Sequence, residues 1–395
     1  MLLEILLFLV LGIIAGTFSG LIPGIHINLV GVVLISLSAS VLSFINPIYF
    51  VVFIVAMAIS HTFLDFIPSV FLGCPDTETE LSVLPGHELL RDGRGYEAVC
   101  LTAYGGLFAV LLLPLLAYPL SFVFSKIYEP IKILIPGILI FVSVFLVLTE
   151  RKMKNALVVF LLTGILGLLV LNMNLKEPLL PLLSGLFGSS MLLISINDRI
   201  DIPAQKITEP AEKFPKKPLL ASIIASPLCG FLPGLGSGQA AIIGNSILKT
   251  DKKGFLFLLG ATNTLVMGFS FLALYAISRT RTGAAVAVQE MMGSLTPEIL
   301  ILILFTILIS GIACFFLTKR IARFSAQKIG RIKYRNLSFI TLGILAIVVF
   351  LVSGFFGFIV LLVSTATGIY CISLGVKRTN MMGCLLLPTI LIYLI

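Results

Sequence analysis

Apolar stretches of about 17–25 residues recur from one end of the chain to the other, and each can cross about 30 Å of hydrocarbon as a helix. Of the 395 residues, 58% are hydrophobic and 11% are charged, whereas soluble domains carry about 25% charged residues. So few charges cannot cover a surface that faces water. Lipid cannot satisfy the open edge of a sheet, and the alternating pattern of a membrane barrel is not evident. The sequence therefore predicts an all-α, multi-pass protein of the cell membrane.

Turn residues divide the apolar stretches into fourteen predicted helical segments. The segments cover residues 3–19, 27–45, 48–70, 97–126, 129–149, 155–173, 178–196, 218–229, 238–248, 254–277, 296–318, 337–353, 355–375 and 381–395. The first segment lacks the basic start and the small-residue cleavage site of a signal peptide, so we expect it to be a retained helix.

Lys and Arg are concentrated in the loops that follow the odd-numbered segments from the third to the thirteenth. These loops include Arg91 and Arg94, and the loop 319–335 has seven basic residues. Because cytoplasmic loops retain positive charge, the pattern predicts that both termini lie outside. Arg279 and Arg281 are exceptions on the predicted outer side. The net charge of +9 is thus assigned to topology and to contact with anionic lipid headgroups, and no nucleic-acid partner is predicted.

No pattern typical of a metal or redox site occurs in the sequence. The six cysteines are scattered without a CxxC pair, and His26, His61 and His87 lack the spacing of metal ligands. No Ser/His or HExxH constellation of an intramembrane enzyme is recognised. The sequence therefore predicts no metal and no cofactor, and it predicts that the protein is not an enzyme.

One short pattern, G-x-x-P-G, occurs twice, at 20–24 and 230–234, 210 positions apart. Proline lacks an N–H group and glycine lowers helix propensity, so both helices are predicted to break there. Matching breaks in two halves are typical of transporter repeats. Seven segments separate the starts of the two units, and an odd number reverses orientation, so the repeats are predicted to be inverted. We assign residues 1–196 to the first membrane repeat, 197–217 to a cytoplasmic linker and 218–395 to the second repeat.

The breaks are predicted to form re-entrant hairpins, with one interrupted crossing as the alternative for the first pair. A half-helix that begins inside the membrane presents unpaired N–H groups and a positive dipole end, which suit an anion, while the preceding carbonyls suit a cation. Non-helical backbone is tolerated at that depth where it is buried in protein or lines a water-filled cavity. The pattern therefore predicts a solute site at the two breaks.

Three further features, together with the two G-x-x-P-G patterns, resemble those of one known family. They are the run Pro85–Gly95, the segment Gly260-Ala261-Thr262-Asn263-Thr264, and the order of the helical segments. Here the sequence resembles the large membrane subunit of the tripartite tricarboxylate transporters, the TctA family. The resemblance implies two repeats and import of carboxylates such as citrate. It also implies two partners, a small membrane subunit and an extracytoplasmic binding protein.

Ten residues are predicted to contact the solute or a coupling ion. The substrate-binding set lies on or beside the breaks and consists of Gly20, Pro23, Gly24, Asn28, Pro233, Gly234, Ser237 and Asn263. Asp65 lies within a membrane segment, where an acid is costly and indicates function, and His61 is four residues earlier on the same helical face. These two are predicted to couple transport to a proton or a cation. The alternatives are an aspartate that meets water near Pro68, and polar groups that only join helices.

These features predict a permease that moves a small organic anion, a tricarboxylate or a dicarboxylate, by alternating access. A translocase for a polyprenyl phosphate or another lipid carrier is the alternative, because broken helices would also receive its headgroup. A channel is less favoured, since inverted breaks are typical of carriers.

Overall fold

The computed structural model describes residues 2–22, 46–73, 79–197, 203–231, 236–280, 282–329 and 334–394. Within these ranges every regular element is helical and no strand occurs. Seven of the described helical stretches are long and apolar enough to cross a membrane, judged by length and composition. The predicted all-α, multi-pass membrane fold is confirmed.

The first half of the chain contains eight helices. They are α1 (Leu2–Leu21), α2 (Pro47–Leu64), α3 (Phe66–Leu72), α4 (Val83–Arg91), α5 (Gly95–Leu148), α6 (Met153–Leu171), α7 (Leu179–Leu183) and α8 (Ser190–Asn197), counted over the described residues. A 3-10 turn at Glu80–Ser82 precedes α4, and a π-helical turn at Ser184–Ser189 joins α7 to α8.

The second half has a similar series of helices. They are α9 (Lys216–Phe231), α10 (Ser237–Ile247), α11 (Lys252–Ile277), α12 (Gly283–Met292), α13 (Pro297–Ile329), α14 (Tyr334–Ser373) and α15 (Gly383–Leu394), again over the described residues. A 3-10 turn at Arg378–Met382 leads into α15.

The packing of the two halves follows one scheme. In the first half α1 packs on α2, and in the second half α9 packs on α11. Between the halves, α5 packs on α11 and α13 packs on α2. Short helices, α4 and α12, occupy equivalent places in the order of elements. This order supports two repeats, while their boundaries and their inversion in the membrane stay predictions.

Several helices differ from those expected from the sequence. The prediction that 319–335 is a loop is wrong for its first part, because α13 continues past 318 to Ile329. The short helices α4 and α12 fall in stretches that were predicted to be loops, and α5 continues through the predicted boundary between 97–126 and 129–149. In α14 the predicted boundary between 337–353 and 355–375 coincides with a kink at Gly354, whose φ of 69° is a left-handed value that favours glycine.

The centre of the protein is formed by α2, α3 and α11. In the apolar 18-residue segments of Pro47–Leu72 and Lys252–Ile277, 89% and 94% of the residues are buried, compared with 22% in α1. Glycines let the neighbouring α5 approach α11 closely, because a Cβ on Gly260 would lie 2.1 Å from the carbonyl oxygen of Thr102. Polar side chains in the middle of these helices, such as Asp65 and Asn263, are buried in the protein.

The linker segment 203–215 runs from the first half to the second and is held to both by hydrogen bonds and an ion pair. The Gln205 side chain accepts a hydrogen bond from the Gly95 N–H group at 2.8 Å. Farther along, the Glu209 carboxylate pairs with Lys319 of α13 at 2.7 Å and accepts a hydrogen bond from Tyr104 of α5 at 2.9 Å. The linker thus joins α5 and α13 directly.

Candidate functional site

The central helix of the first half is interrupted at Asp65, which separates α2 from α3. Pro68 has no N–H group and cannot donate to the carbonyl of Leu64, so the regular hydrogen-bond ladder is interrupted at this point. The Asp65 N–H group still donates to His61 O at 3.0 Å. The side chain of Asp65 is buried, with 2% of the residue exposed. The structure therefore places this acid at a helix junction inside the protein, not in water near a helix end.

Asp65 is joined to the second half of the chain by Asn263. The Asn263 Nδ2 atom donates to Asp65 Oδ2 at 2.9 Å and to the carbonyl of Thr62 at 3.3 Å. The hydroxyls of Thr62 and Thr264 lie 3.3 Å apart beside this contact. The amide of Asn263 thus bridges the end of α2 and the side chain at the helix junction.

His61 contacts the end of α1, which precedes the first G-x-x-P-G pattern. Its Nδ1 atom lies 3.0 Å from the hydroxyl of Ser19, near the end of α1. The next residue, Gly20, approaches the same junction, because a Cβ there would lie 3.1 Å from His61 O and 3.2 Å from Asp65 N. The last turn of α1 therefore lies against His61 and Asp65, immediately before Pro23 in the sequence.

The structure brings together four of the ten predicted residues: Gly20, His61, Asp65 and Asn263. Together with Ser19, Thr62 and Thr264, they form what we call the Asp65 cluster. Pro23, Gly24, Asn28, Pro233 and Gly234 lie outside the described residues. Their roles stay predictions.

Ser237 lies in a different element from the cluster. It is buried at the first position of α10, directly after the second break. The neighbouring Gln239 accepts a hydrogen bond from the Gly236 N–H group at 2.6 Å and so stabilises the start of this helix. A role for Ser237 in solute binding stays a prediction.

Sequence reasoning did not select Ser19 or Thr62 as site residues. Ser19 directly precedes the first break, so its position next to the G-x-x-P-G pattern was a usable signal. For Thr62 no local pattern distinguishes a hydroxyl that contacts another helix from one that bonds only to its own helix.

The cluster contains one acid, Asp65, together with His61, the Asn263 amide and the hydroxyl groups of Ser19, Thr62 and Thr264. Neither Lys nor Arg occurs in Pro47–Leu72, and α11 carries its two lysines, Lys252 and Lys253, in its first turn. The Asp65 carboxyl accepts a hydrogen bond from the Asn263 amide. Such a carboxyl is chemically suited to take up a proton or a small cation.

Comparison with known proteins bears on the identity of the chain. Residues 6–383 match the Tripartite tricarboxylate transporter TctA family. The chain is also similar to an uncharacterized protein of Methanocaldococcus jannaschii, with 33% identity over 402 aligned residues that cover 98% of this chain and 99% of the relative. No solved structure matches the chain. The family that the sequence resembled is confirmed: the chain belongs to the tripartite tricarboxylate transporter TctA family.

Proposed function

We propose that the protein is a permease that moves a small organic anion, a tricarboxylate or a dicarboxylate, by alternating access. Membership of a transporter family and the seven apolar helices support transport as the general activity. The solute site is at the meeting point of the two halves, and it includes the Asp65 cluster and the adjacent Pro-Gly breaks. The location we propose is the cell membrane.

One observation carries this proposal: the hydrogen bond from Asn263 to Asp65 links the central helices of the two halves inside the protein. A buried acid is costly in a membrane segment and is retained where it has a function. Its bond to a side chain from the other half couples its environment to the relative position of the halves. Movement of one half against the other would change that bond, as alternating access requires.

The coupling role falls to Asp65 and His61. The carboxyl of Asp65 would repel an anionic solute when it is ionised, so it is suited to bind a proton or a cation that travels with the anion. His61 lies on the preceding turn and contacts Ser19 of the first broken helix. Binding of the ion at His61 and Asp65 would therefore change the contact with α1, the helix that precedes the first predicted break.

The anion itself would be held mainly by helix ends. Fixed cations are not available on the central helices beyond the first turn of α11. Backbone N–H groups that follow Pro23-Gly24 and Pro233-Gly234 present positive partial charge at such breaks. Asn28, Ser237 and Asn263 would add side-chain donors. The proposed partners are a small membrane subunit and an extracytoplasmic binding protein, which the family name implies by its tripartite composition.

Counterflow into proteoliposomes tests the function. Vesicles that contain the purified protein and unlabelled citrate or succinate are diluted into the same labelled compound, and accumulation of label is expected. Asp65→Asn should abolish dependence of exchange on the driving ion. Flipping of a labelled polyprenyl phosphate is measured in parallel. The proposal fails if the lipid phosphate flips and neither carboxylate is exchanged.

A further inference from the structure

A cavity of about 810 Å³ opens between the ends of α5, α10 and α11, beside the turn that precedes α15. Its charged lining consists of Glu88, Lys249, Asp251, Lys252, Lys377 and Arg378. Ligand pockets measure about 300–1,000 Å³, so the volume suits a small molecule. The cavity is separate from the Asp65 cluster, because Asn263 lies about 16 Å along α11 from Lys252.

Several of the lining charges already have partners within the protein. Lys252 pairs with Glu88 at 2.5 Å, and the ammonium of Lys377 lies 3.9 Å from Glu150. The Asp251 carboxylate accepts the N–H group of Gly254 and caps α11. The two ion pairs neutralise their own charges, whereas the N-cap bond leaves Asp251 negative. Lys249 and Arg378 are opposed only by Asp251, so the remaining charge of the lining is net positive.

Arg378 lines the cavity, and its own guanidinium makes few hydrogen bonds within the described residues. Its Nη2 atom contacts the sulfur of Met191, and its buried Nη1 atom has no hydrogen-bond partner among the described residues. No acid in the described part of the chain forms an ion pair with Arg378 or with Lys249. A guanidinium presents five donors, and burying unsatisfied donors is costly. An anion in the cavity would supply the acceptors that Arg378 lacks.

The neighbouring His87 responds to the same positive charge. Burial, and then the charges of Arg91 and Arg378, lower the pKa of His87 to about 3. The imidazole is therefore neutral at physiological pH and does not add a competing or complementary charge. The field of Arg378 is thus available to a ligand.

We propose that this cavity binds an anionic group with several oxygens, a carboxylate or a phosphate, and that Arg378 and Lys249 are its cationic ligands. Arginine matches such groups with paired donors. The cavity lies at the end of α10 opposite Ser237, which follows the second G-x-x-P-G pattern in the sequence. The site does not depend on the identity of the transported solute.

The anionic group has two possible sources with the same chemistry. A free carboxylate or phosphate would enter from solution. Alternatively, the headgroup of an anionic lipid would enter from the bilayer, where basic pockets between helices bind such headgroups. Phe145 and Ile242 in the lining belong to helices that also carry large apolar residues on the protein surface. The experiment distinguishes the two sources.

Protection of an engineered cysteine tests the site. Ser246 lines the cavity on the exposed face of α10, and the described native cysteines are buried. Ser246→Cys is introduced together with Cys74→Ser, and its modification by a maleimide is timed in phosphatidylcholine nanodiscs. Citrate or inorganic phosphate should slow labelling at least about fivefold at saturation, relative to chloride of equal ionic strength. Substitution Arg378→Gln should weaken the protecting affinity about ten- to a hundredfold.

Three further arms make the result decisive. Lys249→Gln changes an exposed residue and should also weaken protection, so the test survives if Arg378→Gln folds poorly. Arg151→Gln removes an exposed charge outside the lining and should leave protection unchanged. Protection should persist in an Asn263→Ala background, which separates this site from the proposed transport site.

Labelling rates in nanodiscs of two compositions show whether the ligand is a lipid headgroup. If free anions give no protection, labelling should be slower in phosphatidylglycerol nanodiscs than in phosphatidylcholine nanodiscs, and Arg378→Gln should remove the difference. The proposal is overturned if neither free anions nor the anionic lipid slows labelling. It is equally overturned if protection is the same in the parent, Arg378→Gln and Lys249→Gln proteins.

Discussion

The side-chain amide of Asn263 donates a 2.9 Å hydrogen bond to the carboxylate of Asp65, although 198 positions separate the two residues. Each lies on a central helix that is almost completely buried. The contact places a hydrogen bond between the halves at the point where α2 gives way to α3. A change in the relative position of the halves would therefore act on Asp65 directly.

Asn263→Ala is expected to reduce the transport rate while the amount of folded protein in the membrane stays the same. The substitution removes the donor to Asp65 and leaves the helix intact. Asn263 is also a proposed donor to the bound anion, and a lost hydrogen bond to a charged ligand is worth roughly 1.5–3 kcal/mol, or about one to two decades in affinity. Counterflow of labelled citrate measures the effect.

Thr262→Val is the matched control on the same helix. The Thr262 hydroxyl bonds to the carbonyls of Leu258 and Leu259 within α11, so its loss should change transport little. Parental transport in Asn263→Ala would remove the proposed role of the Asp65 contact.

Gly20→Ala is expected to destabilise the protein and to reduce transport. The added Cβ would lie 2.9 Å from Leu64 Cβ and 3.1 Å from His61 O, so the end of α1 must move away from the junction. Overpacking of this kind costs about 1–3 kcal/mol. Thermal unfolding in detergent and counterflow measure the two effects.

Gly343→Ala serves as the control for glycine replacement in a membrane helix. A Cβ at Gly343 meets no described atom within 4 Å, so this variant should unfold at the parental temperature. Equal behaviour of the two variants would show that α1 does not pack on the junction as described.

Acidification is expected to destabilise the protein through His87. Burial and the charges of Arg91 and Arg378 lower the pKa of His87 to about 3, whereas an unfolded histidine has a pKa near 6.5. Below about pH 6.5 the unfolded chain binds a proton that the folded chain rejects, so stability is full above that pH and falls as the pH drops toward 3. The melting temperature should fall between pH 7 and pH 5.

His87→Gln should reduce the loss of melting temperature on acidification, because glutamine does not titrate. If the variant and the parent lose the same number of degrees between pH 7 and pH 5, the effect comes from other groups.

Glu209→Gln is expected to loosen the linker. Burial raises the pKa of Glu209, but the hydrogen bond and charge of Lys319 and the hydroxyl of Tyr104 outweigh it, so the pKa is lowered overall. The anchoring is therefore present above the ordinary pKa of a glutamate and is lost as the pH falls below it. Trypsin should cleave after Lys206 or Lys213 faster in this variant than in the parent.

Glu212→Gln is the control for the linker, because Glu212 is exposed on the same segment. Cleavage of this variant should follow the parental rate. Identical rates in all three proteins would show that the contact between Glu209 and Lys319 does not hold the linker.

The predicted topology places the basic end of α13 in the cytoplasm. A cysteine introduced at Lys328, in the last turn of this helix, should react with an impermeant thiol reagent after cell lysis and not in intact cells. The positive-inside rule is the physical basis, because cations near membrane segments are retained on the cytoplasmic side. Labelling in intact cells would reverse the assignment of both termini.

Most helices could be predicted from the length of the apolar stretches alone. Segments such as 48–70 and 254–277 agree with Pro47–Leu72 and Lys252–Ile277 to within a few residues, because each apolar stretch must satisfy its own backbone hydrogen bonds. The short helix α12 was missed although Thr282 accepts the N–H group of Ala285 as an N-cap, and Gly293 ends the helix with positive φ. Those cap residues were a usable signal.

Only part of the candidate site could be predicted from the sequence. Asp65 and His61 were selected because polar residues in a membrane segment are expensive, and the spacing of four placed them on one helical face. Their partners, Asn263 and Ser19, are 198 and 42 positions away in the chain. Spacing within one helix carries no information about which helix packs against it.

The sequence by itself determined that this chain is helical and spans a membrane several times, and it predicts that two helices break at Pro-Gly pairs. These are local properties, set by hydrophobic length, by the missing N–H group of proline and by the low helix propensity of glycine. Only the tertiary structure decided that Asp65 meets Asn263, and that Arg378 borders a cavity with its Nη1 atom unpartnered among the described residues. Those relationships depend on the register in which helices from the two halves pack, and close contacts such as Gly260 against Thr102 set that register.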